Sequence, residues 1–359
     1  MSGILGLPER VDALSGSART RADRLLDVRL AVGRTDPPPE LEPWLRRTFG
    51  SLEAVREQHL VKVTNLATLE ATLFAPLRGR RPLDGNGDAT DLATEIAETL
   101  GDPFCHPESG TPADTFGRVR GAHVVTGANA ALADAHHAVL VFDRHDPLAV
   151  DARLIADVLA TGREWAERAA GEDPAARNYM LIWNCLWRAG GSIVHGHAQA
   201  LLGAGPHYAR LERWRRDSAR YAADHHASLA ADLVELHRDL GLAIDGPDGV
   251  TTLAHVTPGK EREVIVMGPP GSDERSTAFT TAVSRALLTL GDRLGVRSFN
   301  FALWRPPLGD APGWDGFGPM VRIVDRGDLS SRASDIGALE LYGTPVVGSD
   351  PYEVAAALV

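Results

Sequence analysis

The sequence predicts an α+β fold, because one order of elements (strand, helix, strand, loop, strand) occurs twice along the chain. Runs of branched and aromatic residues indicate the strands, and apolar residues spaced by three and four indicate the helices. In the first copy these elements are residues 138–142, 149–170, 179–187 and 193–202. In the second copy they are residues 263–266, 276–294, 298–304 and 320–324. The turn residues Gly190, Gly191 and Ser192 predict a β-hairpin from the last two strands of the first copy.

The segments around the two copies predict further elements. The first forty residues mix Arg, Asp, Ser and Gly and end in Pro37, Pro38 and Pro39, so we expect a loosely packed arm there. A helical pattern at 208–240, interrupted at most once, predicts a connector. Asp350 and Pro351 have the form of an N-cap and first turn of a terminal helix. Other expected elements are a helix at 40–57 and strands at 60–64, 69–75, 122–126 and 250–255.

The composition is that of an ordinary globular protein and excludes several classes. With 359 residues, of which 44% are hydrophobic and 24% charged, the chain can build a sizeable core. A net charge of -11 argues against an extended nucleic-acid surface. Two cysteines cannot make a disulfide framework, and the sequence shows neither a signal peptide nor the ~18 apolar residues that a membrane span needs. We therefore expect a cytoplasmic protein whose partners are small molecules, without nucleic acid or membrane.

The most informative pattern is the segment from His195 to Gln199, which reads His-Gly-His-Ala-Gln. On a strand, side chains at i, i+2 and i+4 share one face, so His195, His197 and Gln199 would point the same way. Gly196 and Ala198 would then face the other side and allow a close layer behind the strand. Such a face indicates a nucleophile or metal ligands, and a hydrogen-bonded structural histidine pair is the alternative.

The nucleophile interpretation leads to phosphorus chemistry. A neutral imidazole attacks phosphorus well and passes the group onward, which suits His197. Phosphoryl transfer needs donors aimed at the charged oxygens, and Ser192, Asn184 and Gln199 carry groups of that kind. Because an amide cannot act as a base on water, Gln199 favours transfer over hydrolysis. The chain has no G-x-S-x-G elbow and no G-x-x-x-x-G-K-[ST] loop.

A metal interpretation competes for His195. Asp102 and Cys105 stand three apart, as in a C-x-x-C pair with one Cys exchanged for a carboxylate, and His145 follows an expected strand. With His195 these residues make four possible ligands, and a loop with a buried thiol is the alternative. The other histidines have no patterned partners and are expected to be surface or packing residues, among them His59, His136, His137, His225, His226 and His237.

These motifs, in this order, resemble the galactose-1-phosphate uridylyltransferase branch of the histidine-triad superfamily, from about residue 60 to the C-terminus. The resemblance implies two histidine-triad-like α+β halves, fused in one chain and joined in one antiparallel sheet-based unit. It divides the chain into an N-terminal extension (1–58), a half carrying the active site (59–206), a helical connector (207–245) and a second, degenerate half (246–359).

The resemblance also implies roles for individual residues. The expected catalytic residues are His197, Gln199 and Ser192. The basic turn at 76–82 is similar to a phosphate-contacting turn of the family. The expected ligands of the substrate and its phosphates are Asn184, Arg78, Arg81 and Glu340. The expected ligands of a structural zinc ion are Asp102, Cys105, His145 and His195.

The implied reaction is nucleotidyl transfer through a covalent nucleotidyl-histidine. A nucleoside monophosphate group moves from a nucleoside diphosphate sugar to a sugar 1-phosphate, in an enzyme that is expected to be a homodimer. The alternatives are a phosphorylase of a nucleoside diphosphate sugar or a diadenosine polyphosphate, and an inactive nucleotide-binding protein. Two departures stand out: Gly127-Ala128 replaces an Asn-Asp pair that holds the ribose, and Met320 and Arg322 stand where some members bind a second metal.

Overall fold

The structure, a computed structural model, describes residues 3–80, 92–331 and 336–359. Its α-helices are α1 (Leu7–Asp12), α2 (Gly16–Leu25), α3 (Glu42–Phe49), α4 (Leu52–Arg56), α5 (Leu92–Glu98), α6 (Pro107–Gly110), α7 (Ala152–Glu172), α8 (Ala209–His225), α9 (Leu229–Asp239), α10 (Thr277–Asp292) and α11 (Pro351–Leu358). Its strands are β1 (Leu26–Arg34), β2 (Glu57–Asn65), β3 (Ala71–Phe74), β4 (Val124–Ala128), β5 (His136–Phe142), β6 (Ala176–Cys185), β7 (His197–Ala204), β8 (Ala243–Asp245), β9 (Thr251–Ala254), β10 (Glu261–Met267), β11 (Phe299–Trp304), β12 (Met320–Asp325) and β13 (Val346–Val347).

Nine of these strands form one antiparallel sheet in the order β4-β5-β7-β6-β11-β12-β10-β9-β8. From the centre outward, the order β6-β7-β5-β4 on one side is repeated as β11-β12-β10-β9 on the other. β6 and β11 join the halves, with Ile182 opposite Ala302. The fold is therefore α+β and consists of two similar halves that share one sheet, as the sequence predicts.

The helices α7 and α10 pack against each other and against one face of this sheet. Small residues allow the close approach, since a Cβ at Gly162 of α7 would lie 2.5 Å from the Tyr179 hydroxyl. Ala198 of β7 is buried, and a Cβ at Gly196 would lie 2.7 Å from the Phe142 ring. The close layer predicted behind Gly196 and Ala198 is therefore present. Because side chains alternate along a strand, His197 faces the opposite side of the sheet.

The hairpin of β6 and β7 is confirmed, but its second strand begins later than expected. β7 starts at His197 rather than at residue 193, and His195 lies just before it. The backbone at Gly196 still bonds to its neighbours, because the Gly196 N–H donates to the His145 carbonyl (3.0 Å) and the Gly196 carbonyl accepts from Phe142 N–H (3.0 Å). These bonds hold His195 beside the end of β5.

The first forty residues do not form a loosely packed arm, and that expectation is wrong. They form α1, α2 and β1, and β1 pairs along its whole length with β2. Leu7 and Leu25 are fully buried in the main core. The Ile4 N–H donates to the Asp350 carboxylate (2.8 Å), which ties the segment to the start of α11. Apolar burial therefore outweighs the polar composition of this segment.

A second, four-stranded sheet has the order β1-β2-β3-β13, with β3 and β13 parallel. The helix expected at 40–57 is broken at Gly50, whose φ of 79° ends α3, and Ser51 then caps α4 by accepting the Ala54 N–H (3.2 Å). The connector at 208–240 is interrupted once, between α8 and α9, as expected. Among the described residues, no helix combines the length and the apolar character needed to cross a membrane.

Candidate active site and metal centre

His197, the first residue of β7, is buried, and one of its ring nitrogens is occupied. Its Nδ1 lies 2.8 Å from the His195 carbonyl oxygen, which can only accept, so Nδ1 carries the proton and donates it. The lone pair is therefore on Nε2. Burial lowers the pKa of His197 below its ordinary 6.5, so the ring is neutral at pH 7. A neutral imidazole with a free Nε2 has the form of a nucleophile.

Gln199 lies two residues along the same face and is held by a residue that sequence reasoning assigned to packing. The Nε2 of His137 lies 2.9 Å from the Gln199 Oε1. His137 is buried, and β5 brings it beside Gln199 because Val139, two residues further on, pairs directly with Gln199. No described residue accepts from the Gln199 amide nitrogen.

Asn184 lies next to His197 on the neighbouring strand. Ile182 of β6 pairs with Gln199 of β7, and because the strands are antiparallel, the residue two after Ile182 lies opposite the residue two before Gln199. Its Oδ1 accepts from the Asn300 Nδ2 (2.7 Å), and Asn300 is directly opposite on β11. The Asn300 Nδ2 also donates to the Ala189 carbonyl (2.8 Å), while the Arg326 guanidinium donates to the Asn300 Oδ1. The second half of the chain therefore reaches the His197 site, which the sequence did not indicate.

Apolar side chains cover the sheet face beside His197. The Phe104 ring lies 5.0 Å from the His197 ring, edge to face. Val139 and Val141 are buried under Phe104, and Val125 and Ile193 are half-buried at the margin of the same cluster. This surface suits a flat, weakly polar group placed next to His197.

The four predicted metal ligands converge at one point beside this cluster. Cys105 Sγ lies 3.3 Å from His145 Nδ1 and 3.5 Å from His195 Nδ1, and the two Nδ1 atoms are 3.2 Å apart. The Asp102 Oδ1 lies 3.7 Å from His195 Nδ1. A tetrahedral zinc ion with bonds of about 2.0–2.3 Å holds its ligand atoms about 3.3–3.8 Å apart. These four spacings are close to that range, and all the candidate ligand atoms lie within 4.8 Å of one another, so the four residues can surround one ion.

The protonation states support the same conclusion. His145 Nε2 donates to the Ile96 carbonyl and His195 Nε2 to the Phe142 carbonyl, each at 3.0 Å. Both Nδ1 lone pairs therefore face each other, an arrangement that a cation between them stabilises. The buried Asp102 Oδ2 has no hydrogen-bond partner among the described residues. These residues can hold a metal ion.

The other predicted site residues are Ser192, Arg78, Arg81 and Glu340. Ser192 is exposed on the loop between β6 and β7. Arg78 is exposed on the turn Pro76–Arg80, which packs beside α3 and β13, and Arg81 lies outside the described residues. Glu340 pairs with Lys260 (2.7 Å), next to β10. β10 is four strands from β7, about 19 Å at ~4.8 Å per strand, so no described contact joins Glu340 to His197.

The corresponding face of the second half carries a different chemistry. Met320 occupies the register position of His197, because it pairs with Met267 of β10 as His197 pairs with Val141 of β5. Arg322 occupies the position of Gln199, because it pairs with Ile265 as Gln199 pairs with Val139. Arg322 is buried and paired with Glu263 and with Glu70 (2.9 Å). A guanidinium between carboxylates is a structural ion cluster.

Gly127 is required by close packing. A Cβ there would lie 2.2 Å from the Thr111 hydroxyl and 2.9 Å from the Arg118 guanidinium. Arg118 donates to Thr111 Oγ1 (2.8 Å) and to the Thr126 carbonyl (2.9 Å) above this position. The side chains of Thr111 and Arg118 therefore fill the space beside Gly127.

The shared sheet and its repeated strand order define the fold, two similar α+β halves in one chain. Solved structures confirm this fold. An ADP-glucose phosphorylase from Arabidopsis thaliana matches with a TM-score of 0.63 at 17% identity, over 83% of this chain and 97% of that chain. A galactose-1-phosphate uridylyltransferase-like protein from the same plant gives 0.58 at 16%, over 71% and 90%. A uridylyltransferase gives 0.55 at 17%, over 69% and 87%. No protein-family model matches the chain, and neither does any curated protein at a significant level.

Proposed function

We propose that the protein is a nucleotidyltransferase that works through a covalent nucleotidyl-histidine at His197. One observation supports this above all others: a buried, neutral imidazole with its Nε2 unbonded shares a sheet face with two side-chain amides whose oxygens are already engaged by the protein. The two amide nitrogens offer four N–H donors to an anion next to the nucleophile. A phosphate group is the anion that this combination of nucleophile and donors suits.

The reaction has two displacement steps. In the first, the Nε2 lone pair of His197 attacks the α-phosphorus of a nucleoside diphosphate sugar, a P–N bond forms, and the sugar phosphate leaves with the electron pair of the broken P–O bond. In the second, a phosphate oxygen of the acceptor attacks the same phosphorus, and the P–N electrons return to Nε2. The Nδ1–H bond to the His195 carbonyl steadies the positive charge that the ring gains in the intermediate.

The surrounding residues divide the remaining tasks. The amides of Gln199 and Asn184 bind the α-phosphate oxygens, and the Phe104 cluster receives the base. Ser192 as a further phosphate donor stays a prediction, and so do Arg78, Arg81 and Glu340 as ligands of the distal phosphate and sugar. The homodimer also stays a prediction, which light scattering of the purified protein tests.

Two candidate reactions differ in the molecule that accepts the nucleotidyl group from His197. We propose a sugar 1-phosphate, which makes the enzyme similar to a galactose-1-phosphate uridylyltransferase. A phosphorylase that uses inorganic phosphate is the second candidate, because the ADP-glucose phosphorylase matches over 97% of its own length. Purified enzyme supplied with a nucleoside diphosphate sugar and either acceptor separates them by the product: a new nucleotide sugar, or a nucleoside diphosphate.

Formation of the adduct tests the proposal itself. Intact protein mass after incubation with nucleoside diphosphate sugars is expected to rise by one nucleoside monophosphate group, and the increment identifies the base. His197→Ala is expected to form no adduct and to lose at least about 10³-fold in turnover. His136→Ala, an exchange of a neighbouring half-buried histidine on β5, serves as the matched control. A His197→Ala variant with full turnover would show that the mechanism is wrong.

We further propose zinc at the cluster of Asp102, Cys105, His145 and His195. When bound, the ion would join the turn Pro103–Cys105 to the ends of β5 and β7 and so fix Phe104 against His197. Metal analysis of the purified protein is expected to find about one zinc per chain, and Cys105→Ser to lose it and melt at lower temperature. Cys185→Ala, which changes the other, fully buried cysteine, is expected to keep the metal. Equal metal content in both variants would contradict the assignment.

A further inference from the structure

The side-chain amides of Gln199 and Asn184, beside His197, each have two possible orientations. Only one of these orientations allows the amide to bind phosphate. An amide offers a carbonyl oxygen on one side and an NH2 group on the other, and only the NH2 group attracts an anion. Gln199 and Asn184 would repel a phosphate if their oxygens faced it. Whatever fixes their orientation therefore decides whether the site works.

His137 fixes the orientation of Gln199. The Ala133 N–H donates to His137 Nδ1 (3.1 Å), so in the neutral ring the proton is on Nε2. The nearby Asn129 does not accept that proton, because the atom that lies 3.2 Å from His137 Nε2 is its amide nitrogen, while the Ala131 N–H donates to its oxygen (3.0 Å) and fixes this orientation. The acceptor is the Gln199 Oε1, 2.9 Å away. The NH2 group of Gln199 is thereby directed away from His137.

Asn300 fixes the orientation of Asn184 by similar logic. The Ala189 carbonyl can only accept and the Arg326 guanidinium can only donate, so the Asn300 side chain has one possible orientation. Its Nδ2 then donates to Asn184 Oδ1 (2.7 Å). The Asn184 NH2 group is thereby left for another acceptor. The two chains of hydrogen bonds come from different halves of the protein, and one ends two residues from His197 on β7 while the other ends beside His197 on β6.

We infer that His137 and Asn300 are positioning residues, which hold the Gln199 and Asn184 amides with their NH2 groups toward the phosphate that His197 attacks. The inference rests on the proposed function. Neither His137 nor Asn300 touches the phosphate. His137 acts through the amide of Gln199, and Asn300 acts through the amide of Asn184. Removing a positioning residue should therefore matter only while that amide is present, which distinguishes positioning from a general effect on stability.

Two double-mutant cycles on the full-length protein test the inference, with the rate of adduct formation as readout. Gln199→Ala is expected to slow the rate about 100-fold, as for loss of a transition-state donor, and His137→Ala about tenfold. The double variant is expected to match Gln199→Ala alone within about twofold. Asn300→Ala and Asn184→Ala are expected to behave in the same way.

The cross-combination of His137→Ala with Asn184→Ala is the control, and its losses are expected to multiply because the two residues belong to different chains of hydrogen bonds. If Asn300→Ala does not unfold cooperatively, Asn300→Asp replaces it, since the carboxylate keeps the size and the Arg326 contact but turns an acceptor toward Asn184. Losses that multiply within both cycles would overturn the inference. Absence of any adduct in the wild-type protein would instead contradict the proposed function.

Discussion

Buried neutral histidines make the stability of this protein depend on pH. Burial lowers the pKa of His207 to about 4 and that of His237 to about 3. As the pH falls below 6.5, these histidines take up protons in the unfolded chain but not in the folded one, so the folded state loses stability until its own pKa is reached. Each contributes a loss of about 1.4 kcal/mol per pH unit in this range.

Urea unfolding at pH 7 and pH 5 measures this loss. His207→Asn keeps an acceptor for the Tyr208 N–H (2.8 Å) and removes the titrating group, so a smaller fall is expected. His226→Asn, at an exposed position with a φ of 54° that Asn tolerates, is expected to leave the fall unchanged. A wild-type stability that is equal at both pH values would contradict the prediction.

At the scale of single residues, the sequence predicted side chains that follow a local pattern or match a motif of the resembling family. His195, His197 and Gln199 were found through a period of two, and the predicted metal ligands do converge in space. His137 and Asn300 were missed because their partners lie 62 and 116 residues away. Which strands become neighbours is decided by the whole sheet, and no local pattern around either residue contains that information.

The turn between β6 and β7 is the element on which the geometry of the site depends most. It folds back so closely that a Cβ at Gly191 would lie 2.7 Å from the Asn184 carbonyl oxygen and 3.0 Å from that of Leu186. Gly191→Ala must therefore displace the backbone that carries Asn184. We expect a loss of about 2 kcal/mol in unfolding free energy together with slower adduct formation.

The matched control is Gly171→Ala in the last turns of α7, where a Cβ meets nothing within 4 Å. Helix propensity predicts a gain of about 0.5–1 kcal/mol there and no change in rate. Chemical denaturation and the adduct assay measure both variants. Equal stability of the two variants would show that the turn adapts.

At the scale of elements, the repeated order of strands and helices could be predicted, because each element carries its own periodicity. The composition of the N-terminal segment was misleading about its packing, although the spacing of its apolar residues indicated a buried helix. Ile4, Leu7 and Val11 recur at helical spacing, and all three are buried. Charged residues between them led to the expectation of a loose arm. Spacing was the better guide there than polarity.

The whole molecule is expected to unfold in one cooperative transition. β6 and β11 join the halves within one sheet, the Ser298 hydroxyl donates to the Cys185 carbonyl (2.8 Å), and the Trp183 ring packs against Phe299 at 5.0 Å. One continuous core extends from Ile4 to Leu358. Calorimetry is expected to give equal calorimetric and van't Hoff enthalpies. Two separate transitions would show that the halves are independent.

Arg322 sets a limit on how the second half can change by mutation. Arg322→His at this buried position would leave the Glu263 carboxylate without the guanidinium that now pairs with it, and such a loss typically costs 3–5 kcal/mol. A chain that exchanged Arg322, which occupies the register position of Gln199, would lose much of its stability before it gained any activity on this face. The ion cluster of Arg322, Glu263 and Glu70 therefore opposes change on this face of the second half.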